Sequence, residues 1–107
     1  MEIIQRNSGF NKNGAKVSYG FTTDGLLDGR YIEYYPNSNV KKRTISFDKG
    51  RASNYTEYHT TGKERITACT DSEKICKIND PKVIFLGQYI EFDPEGNIIR
   101  SEFIPRR

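Results

Sequence analysis

The 107-residue chain has no Trp, one Met, one His and two Cys, and only 35% of it is apolar. No stretch approaches the roughly 20 consecutive apolar residues that cross a bilayer as a helix. Met1-Glu2-Ile3-Ile4-Gln5-Arg6 also lacks the apolar centre of a secretory signal. These absences give a chain with no transmembrane segment, placed in the cytoplasm unless an export signal once preceded it. Cys69 and Cys76 are too few for a disulfide framework, and their spacing fits no zinc pattern. They read as two reduced thiols, with a disulfide across a hairpin as the other option. There is no phosphate loop, dinucleotide fingerprint or cluster of metal ligands, so neither a metal nor a cofactor is expected. The single His59 has no Ser or Cys motif beside it, which leaves a general base nothing to activate. Helical periodicity is missing too, since apolar residues nowhere recur at three-and-four spacing over three turns.

Tyr and Phe, by contrast, are plentiful. Seven Tyr and six Phe supply much of the surface available for burial, so the expected core is thin and aromatic. The length suits one domain, residues 1–107. An edge strand is expected over residues 2–5, with turns at Asn7-Ser8-Gly9, at Asn11-Lys12-Asn13-Gly14, and around Asp24-Gly25 and Asp28-Gly29. Between them Ala15, Val17, Tyr19 and Phe21 alternate with Lys16, Ser18 and Gly20, the period of a half-buried strand.

The dominant feature is a repeat. Gly29-Arg30-Tyr31-Ile32-Glu33-Tyr34-Tyr35-Pro36-Asn37-Ser38-Asn39-Val40 returns as Gly87-Gln88-Tyr89-Ile90-Glu91-Phe92-Asp93-Pro94-Glu95-Gly96-Asn97-Ile98. Residues 30–35 read as a strand, 36–39 as its loop and 40–47 as the returning strand, with Asp48-Lys49-Gly50 closing the unit. A worn middle copy sets Tyr55, Glu57 and Tyr58 in the places of Tyr31, Glu33 and Tyr34, 24 residues on; the third copy follows 34 residues later. The difference is an insertion, Asp71 to Pro81, expected to hold at most a short turn around residues 72–77. The layout is thus a partial repeat over 11–28, repeats over 29–50, 51–70 and 87–104, and an irregular segment over 71–86. The expected fold is all-β: a single elongated, twisted antiparallel sheet of successive β-hairpins with little or no helix.

A four-residue loop in each hairpin sets Glu33 opposite Lys42 and Tyr31 opposite Thr44. The same register in the third copy sets Asp93 opposite Ile98, Glu91 opposite Arg100 and Tyr89 opposite Glu102. The middle copy sets Glu57 opposite Ile66. Stacking the hairpins then gives a ladder of Glu33, Glu57 and Glu91 flanked by Tyr31, Tyr55 and Tyr89. His59 occupies the repeat position of Tyr35 and Asp93.

The unit Gly-x-Tyr-x-Glu-Tyr-Tyr-Pro-Asn-x-x-Val, followed by a basic strand and Asp-x-Gly, resembles the MORN-repeat variant found in many bacterial proteins. The likeness covers about two thirds of the chain, with Ser38 standing where that family prefers Gly. It implies a twisted sheet of hairpins with no catalytic machinery. It also implies a binding role, since several such bacterial proteins act as antitoxin or immunity components against a cognate toxin.

Two readings of the Tyr/Glu face follow: a solvated surface whose opposite charges hold the strands in register, and a platform for a protein partner. The candidate partner-binding residues are Tyr31, Glu33, Tyr35, Tyr55, Glu57, His59, Tyr89 and Glu91, with no catalytic and no metal-binding residue. The function expected is non-catalytic binding of a protein, a cognate toxin neutralised by steric occlusion. A structural or envelope-associated repeat module is the alternative from another class. A small hydrolase using the Glu residues ranks lower. So does nucleic-acid binding, because the basic runs Lys41-Lys42-Arg43, Lys63, Arg65 and Arg106-Arg107 are interleaved with Glu and the net charge is only +3. Pairing of exposed edge strands into a homodimer is left open.

Overall fold

The structure, a computed structural model, describes residues 5–11, 14–77 and 82–106. The strands are β1 (Gln5–Phe10), β2 (Lys16–Phe21), β3 (Gly29–Tyr34), β4 (Lys41–Asp48), β5 (Arg51–Tyr58), β6 (Glu64–Thr70), β7 (Phe85–Phe92) and β8 (Ile98–Ile104). Each pairs antiparallel with its neighbours in the chain, giving one open sheet in the order β1 to β8, with no helix among the described residues. The slab measures 42 × 37 × 23 Å. The all-β sheet of successive hairpins expected from the repeat is therefore the fold. The turn expected at Asn7-Ser8-Gly9 is instead part of β1, where Asn7, Ser8 and Gly9 pair with Tyr19, Ser18 and Val17. Most of the edge strand expected over 2–5 lies outside the described residues.

One turn geometry recurs four times. In each, a first residue donates its N–H to the carbonyl four positions on and accepts at its own carbonyl from a Gly three positions on. This holds for Asn11 with Ala15 and Gly14, Thr22 with Leu26 and Gly25, His59 with Lys63 and Gly62, and Asp93 with Asn97 and Gly96. All four Gly have φ between 80° and 94°, backbone that Gly adopts without Cβ strain. The loop after β3 is one residue longer and closes from Tyr35 N–H to the Val40 carbonyl, with Asn37 at φ 55°. Ser38 thus replaces no left-handed Gly; Asn37 takes that conformation.

A bulge sits at the same place in all three hairpins, leaving Lys42, Arg65 and Ile99 as extra residues. After the longer first loop it moves the register by one, so Glu33 faces Arg43 and Tyr31 faces Ile45, where Lys42 and Thr44 were expected. In the third copy the shorter loop and the bulge offset each other. Glu91 faces Arg100 and Tyr89 faces Glu102 as expected, while Ile98 faces Phe92 instead of Asp93. Glu57 faces Ile66, also as expected.

The core lies on one face of the sheet, hereafter the inner face, and is closed at one end by loops. Leu27, from the β2–β3 connection, and Cys76, from the segment before β7, are fully buried beside Ile45, Phe47 and Ala52. Three backbone amides there form a ring. Leu27 N–H donates to the Cys76 carbonyl at 3.2 Å, Cys76 N–H to Gly50 at 2.7 Å, and Gly50 N–H to Leu27 at 2.6 Å. Asp28 adds its carboxylate to the Lys49 N–H at 3.1 Å, holding the β4–β5 turn in which Lys49 and Gly50 both have positive φ. The inserted segment is therefore a plug for the sheet's end: Ile75 bridges to Arg51 and Lys77 to Leu26.

Candidate protein interface

Directly paired residues share a face, so the register assigns every side chain. One inner row runs Val17, Glu33, Arg43, Glu57, Ile66, Glu91, Arg100, and the next runs Tyr31, Ile45, Tyr55, Ala68, Tyr89, Glu102. The ladder of Glu33, Glu57 and Glu91 flanked by Tyr31, Tyr55 and Tyr89 is present. It does not lie open. Tyr31, Tyr55 and Tyr89 are 7%, 5% and 9% exposed and Glu33 is buried with them, so these four residues belong to the core and are not contact surface. Phe85 packs edge-on against both Tyr55 and Tyr89.

Glu33, Arg43 and Glu57 alternate in charge along the row, and Ile66 then separates Glu57 from Glu91. Arg43 donates its Nε to Glu33 Oε1 at 2.9 Å and lies 5.9 Å from the Tyr31 ring centre. Glu57 accepts from the Tyr55 hydroxyl at 2.6 Å and from Arg65. Arg100 stacks on Tyr89 at 5.0 Å. Burial raises the hydroxyl pKa of Tyr31, Tyr55 and Tyr89 above the usual phenol value, and the Glu57 hydrogen bond adds to the rise at Tyr55. At Arg43 burial lowers the pKa and the Glu33 carboxylate more than restores it. A two-carboxylate hydrolase needs its pair open to substrate; here Arg43 separates Glu33 from Glu57, and Glu33 is buried.

Tyr35 and His59, at matching repeat positions, clip one hairpin to the next. The Tyr35 hydroxyl donates to the Tyr58 carbonyl at 2.5 Å, and His59 Nε2 donates to the Phe92 carbonyl at 3.0 Å. Each acceptor immediately precedes the donor's counterpart in the following copy. Asp93, the third counterpart, turns back on its own loop and accepts from the N–H groups of Glu95 and Asn97, which lowers its carboxyl pKa.

The outer face is different in kind. Its rows run Ser18, Ile32, Thr44, Thr56, Thr67, Ile90, Ser101 and Arg30, Ser46, Asn54, Cys69. A shallow polar groove of about 360 Å³ lies here, with Arg30, Thr44, Asn54, Thr67 and Gln88 among its lining and Tyr58 at its side. Its exposed residues include Arg30, Asn54, Cys69 and Gln88. Cys69 and Cys76 are both reduced thiols, the second buried and donating to the Lys82 carbonyl at 3.0 Å. Ile32 and Thr56, the positions between Tyr31 and Glu33 and between Tyr55 and Glu57, pair with Ser18, Thr44 and Thr67, hydroxyl side chains on the neighbouring strands. No group of acidic, His and Cys residues among the described residues is arranged to hold a metal ion. No described helix is long and apolar enough to cross a membrane. The chain matches no family model, no curated protein and no solved structure.

Proposed function

We propose that this chain is a non-catalytic protein-binding module built on MORN-type hairpin repeats, serving in a bacterium as an antitoxin or immunity protein that occludes a cognate toxin. The observation that carries the reading is the contrast between the two sheet faces. The inner one buries Tyr31, Tyr55, Tyr89 and Glu33 and ties Glu33 and Glu57 into internal bonds. The outer one presents hydroxyl and amide groups across five adjacent strands, β3 to β7, with Arg30 within its groove and Tyr58 beside it. Ser, Thr, Asn and Tyr supply adaptable hydrogen bonds and low-entropy contact area, the composition of many protein-recognition surfaces. Neutralisation is then steric: a rigid sheet laid over the toxin's working surface, with no chemical step.

The test is co-expression with the toxin encoded beside this gene, scored by growth and by co-purification. Asn54→Arg and Thr56→Arg, which fill the groove without touching the inner face, are expected to abolish rescue while leaving the circular dichroism spectrum unchanged. If the chain purifies alone and the neighbouring toxin keeps full activity, the reading fails.

A further inference from the structure

The two edges of the sheet differ. β1 carries Arg6, Asn7, Ser8 and Gly9, polar or strand-weakening residues that guard an edge against pairing. β8 has no Pro, Gly or Lys, and all but its last residue are exposed. Ile98, Ile99 and Phe103 are 61%, 59% and 76% exposed, half of the large exposed apolar side chains among the described residues. Among the described residues no strand pairs with the outer edge of β8, whose backbone donors and acceptors on that side face outward.

Its sequence, Ile98-Ile99-Arg100-Ser101-Glu102-Phe103-Ile104, is close to a chemical palindrome about Ser101. We propose that β8 pairs antiparallel with β8 of a second copy, on a two-fold axis through Ser101, to form a homodimer with one continuous sixteen-stranded sheet. In that register Ser101 faces itself and Arg100 faces the partner's Glu102, while Ile99, the bulge residue, and Ile98 beyond it lie outside the regularly paired part of the strand. Both ion pairs form at once because the symmetry makes them equivalent. Shifting the register by one residue in either direction sets Arg100 against Ser101 or Ser101 against Glu102 and removes the charge pairs across the axis. Within one copy Arg100 already holds Glu102 in a two-point contact at 2.9 and 3.0 Å, which presents both groups on the inner side of the edge. The outer row ending in Ser101 then runs unbroken into its symmetry mate, so the polar faces of both copies join on one side. Pairing to β1 of another copy would be head-to-tail and open-ended, and β1 offers Arg6 but no carboxylate to match.

Sedimentation of the wild-type chain is expected to show a dimer. Arg100→Glu and Glu102→Arg are each expected to be monomeric, since like charges then oppose across the axis, with folding unchanged because both side chains are exposed. An equimolar mixture of these two variants restores complementary pairs and is expected to form the heterodimer, as is the Arg100→Glu/Glu102→Arg double variant alone. In a Cys69→Ser background, Ser101→Cys is expected to cross-link on mild oxidation, because facing Cα atoms lie about 4.5–5.5 Å apart, while Ile99→Cys is not. A monomeric wild type overturns the proposal. So does a dimer that survives both single charge reversals, which would place the contact elsewhere on the molecule.

Discussion

His59 Nε2 lies 3.0 Å from the carbonyl oxygen of Phe92, and since a carbonyl only accepts, the imidazole must carry its proton on that nitrogen. The ring expected as a candidate partner contact is a clip between the second and third repeats, as Tyr35 is between the first and second. Loss of such a bond costs about 1 kcal/mol. His59→Ala and Tyr35→Phe are each expected to lower the melting temperature by a few degrees, and His59→Tyr to recover most of the loss. Thermal unfolding followed by circular dichroism reads this out; equal destabilisation by His59→Tyr and His59→Ala would remove the clip.

Gly50 closes the ring of amides with Leu27 and Cys76. A Cβ there would lie 2.9 Å from Ile75 Cγ2 and 3.1 Å from the Cys76 carbonyl, at a φ of 86°. Gly50→Ala is expected to cost about 2 kcal/mol or more, measurable by urea denaturation. Gly96→Ala, with the same φ sign and open space around it, carries only the backbone strain and is expected to cost less.

Glu33 is buried against Arg43, so its removal leaves a half-buried guanidinium without its closest partner. Glu33→Ala is expected to cost about 2 kcal/mol, whereas Glu95→Ala, exposed in the last loop, should stay within about 0.5 kcal/mol. Chemical denaturation curves of the pair compare them directly.

Alkaline pH should destabilise the protein. Burial raises the folded-state pKa of Tyr31, Tyr55 and Tyr89. Above about pH 10 the unfolded chain releases phenol protons that the folded chain keeps, so stability present below that pH falls as pH rises through the folded values. A Tyr55→Phe variant should show a shallower decline between about pH 9 and 11. At the acid end the sign reverses for Asp93, whose lowered pKa supports the last loop above the usual carboxylate range and ceases to do so as pH falls through the folded value.

Local physics made the meander legible in the sequence. Alternation over 15–21, the recurring Tyr-x-Glu strands and the Gly of each short turn fix a chain that can only pair each strand with the next. The facing pairs Glu91 with Arg100 and Glu57 with Ile66 match the expected register because a loop one residue shorter and a bulge cancel in both hairpins. Tertiary structure decided the rest. Period-two alternation says that the two faces differ but not which one is covered, and Tyr with Glu reads as a solvent face until Leu27, Cys76 and Phe85 are laid against it. Those three come from segments far apart in sequence, and their amide ring and ring stacking have no local signal. The bulge beside the first loop, which keeps its expected four residues, likewise moved Glu33 from Lys42 to Arg43, a shift of one position that only the assembled sheet could set.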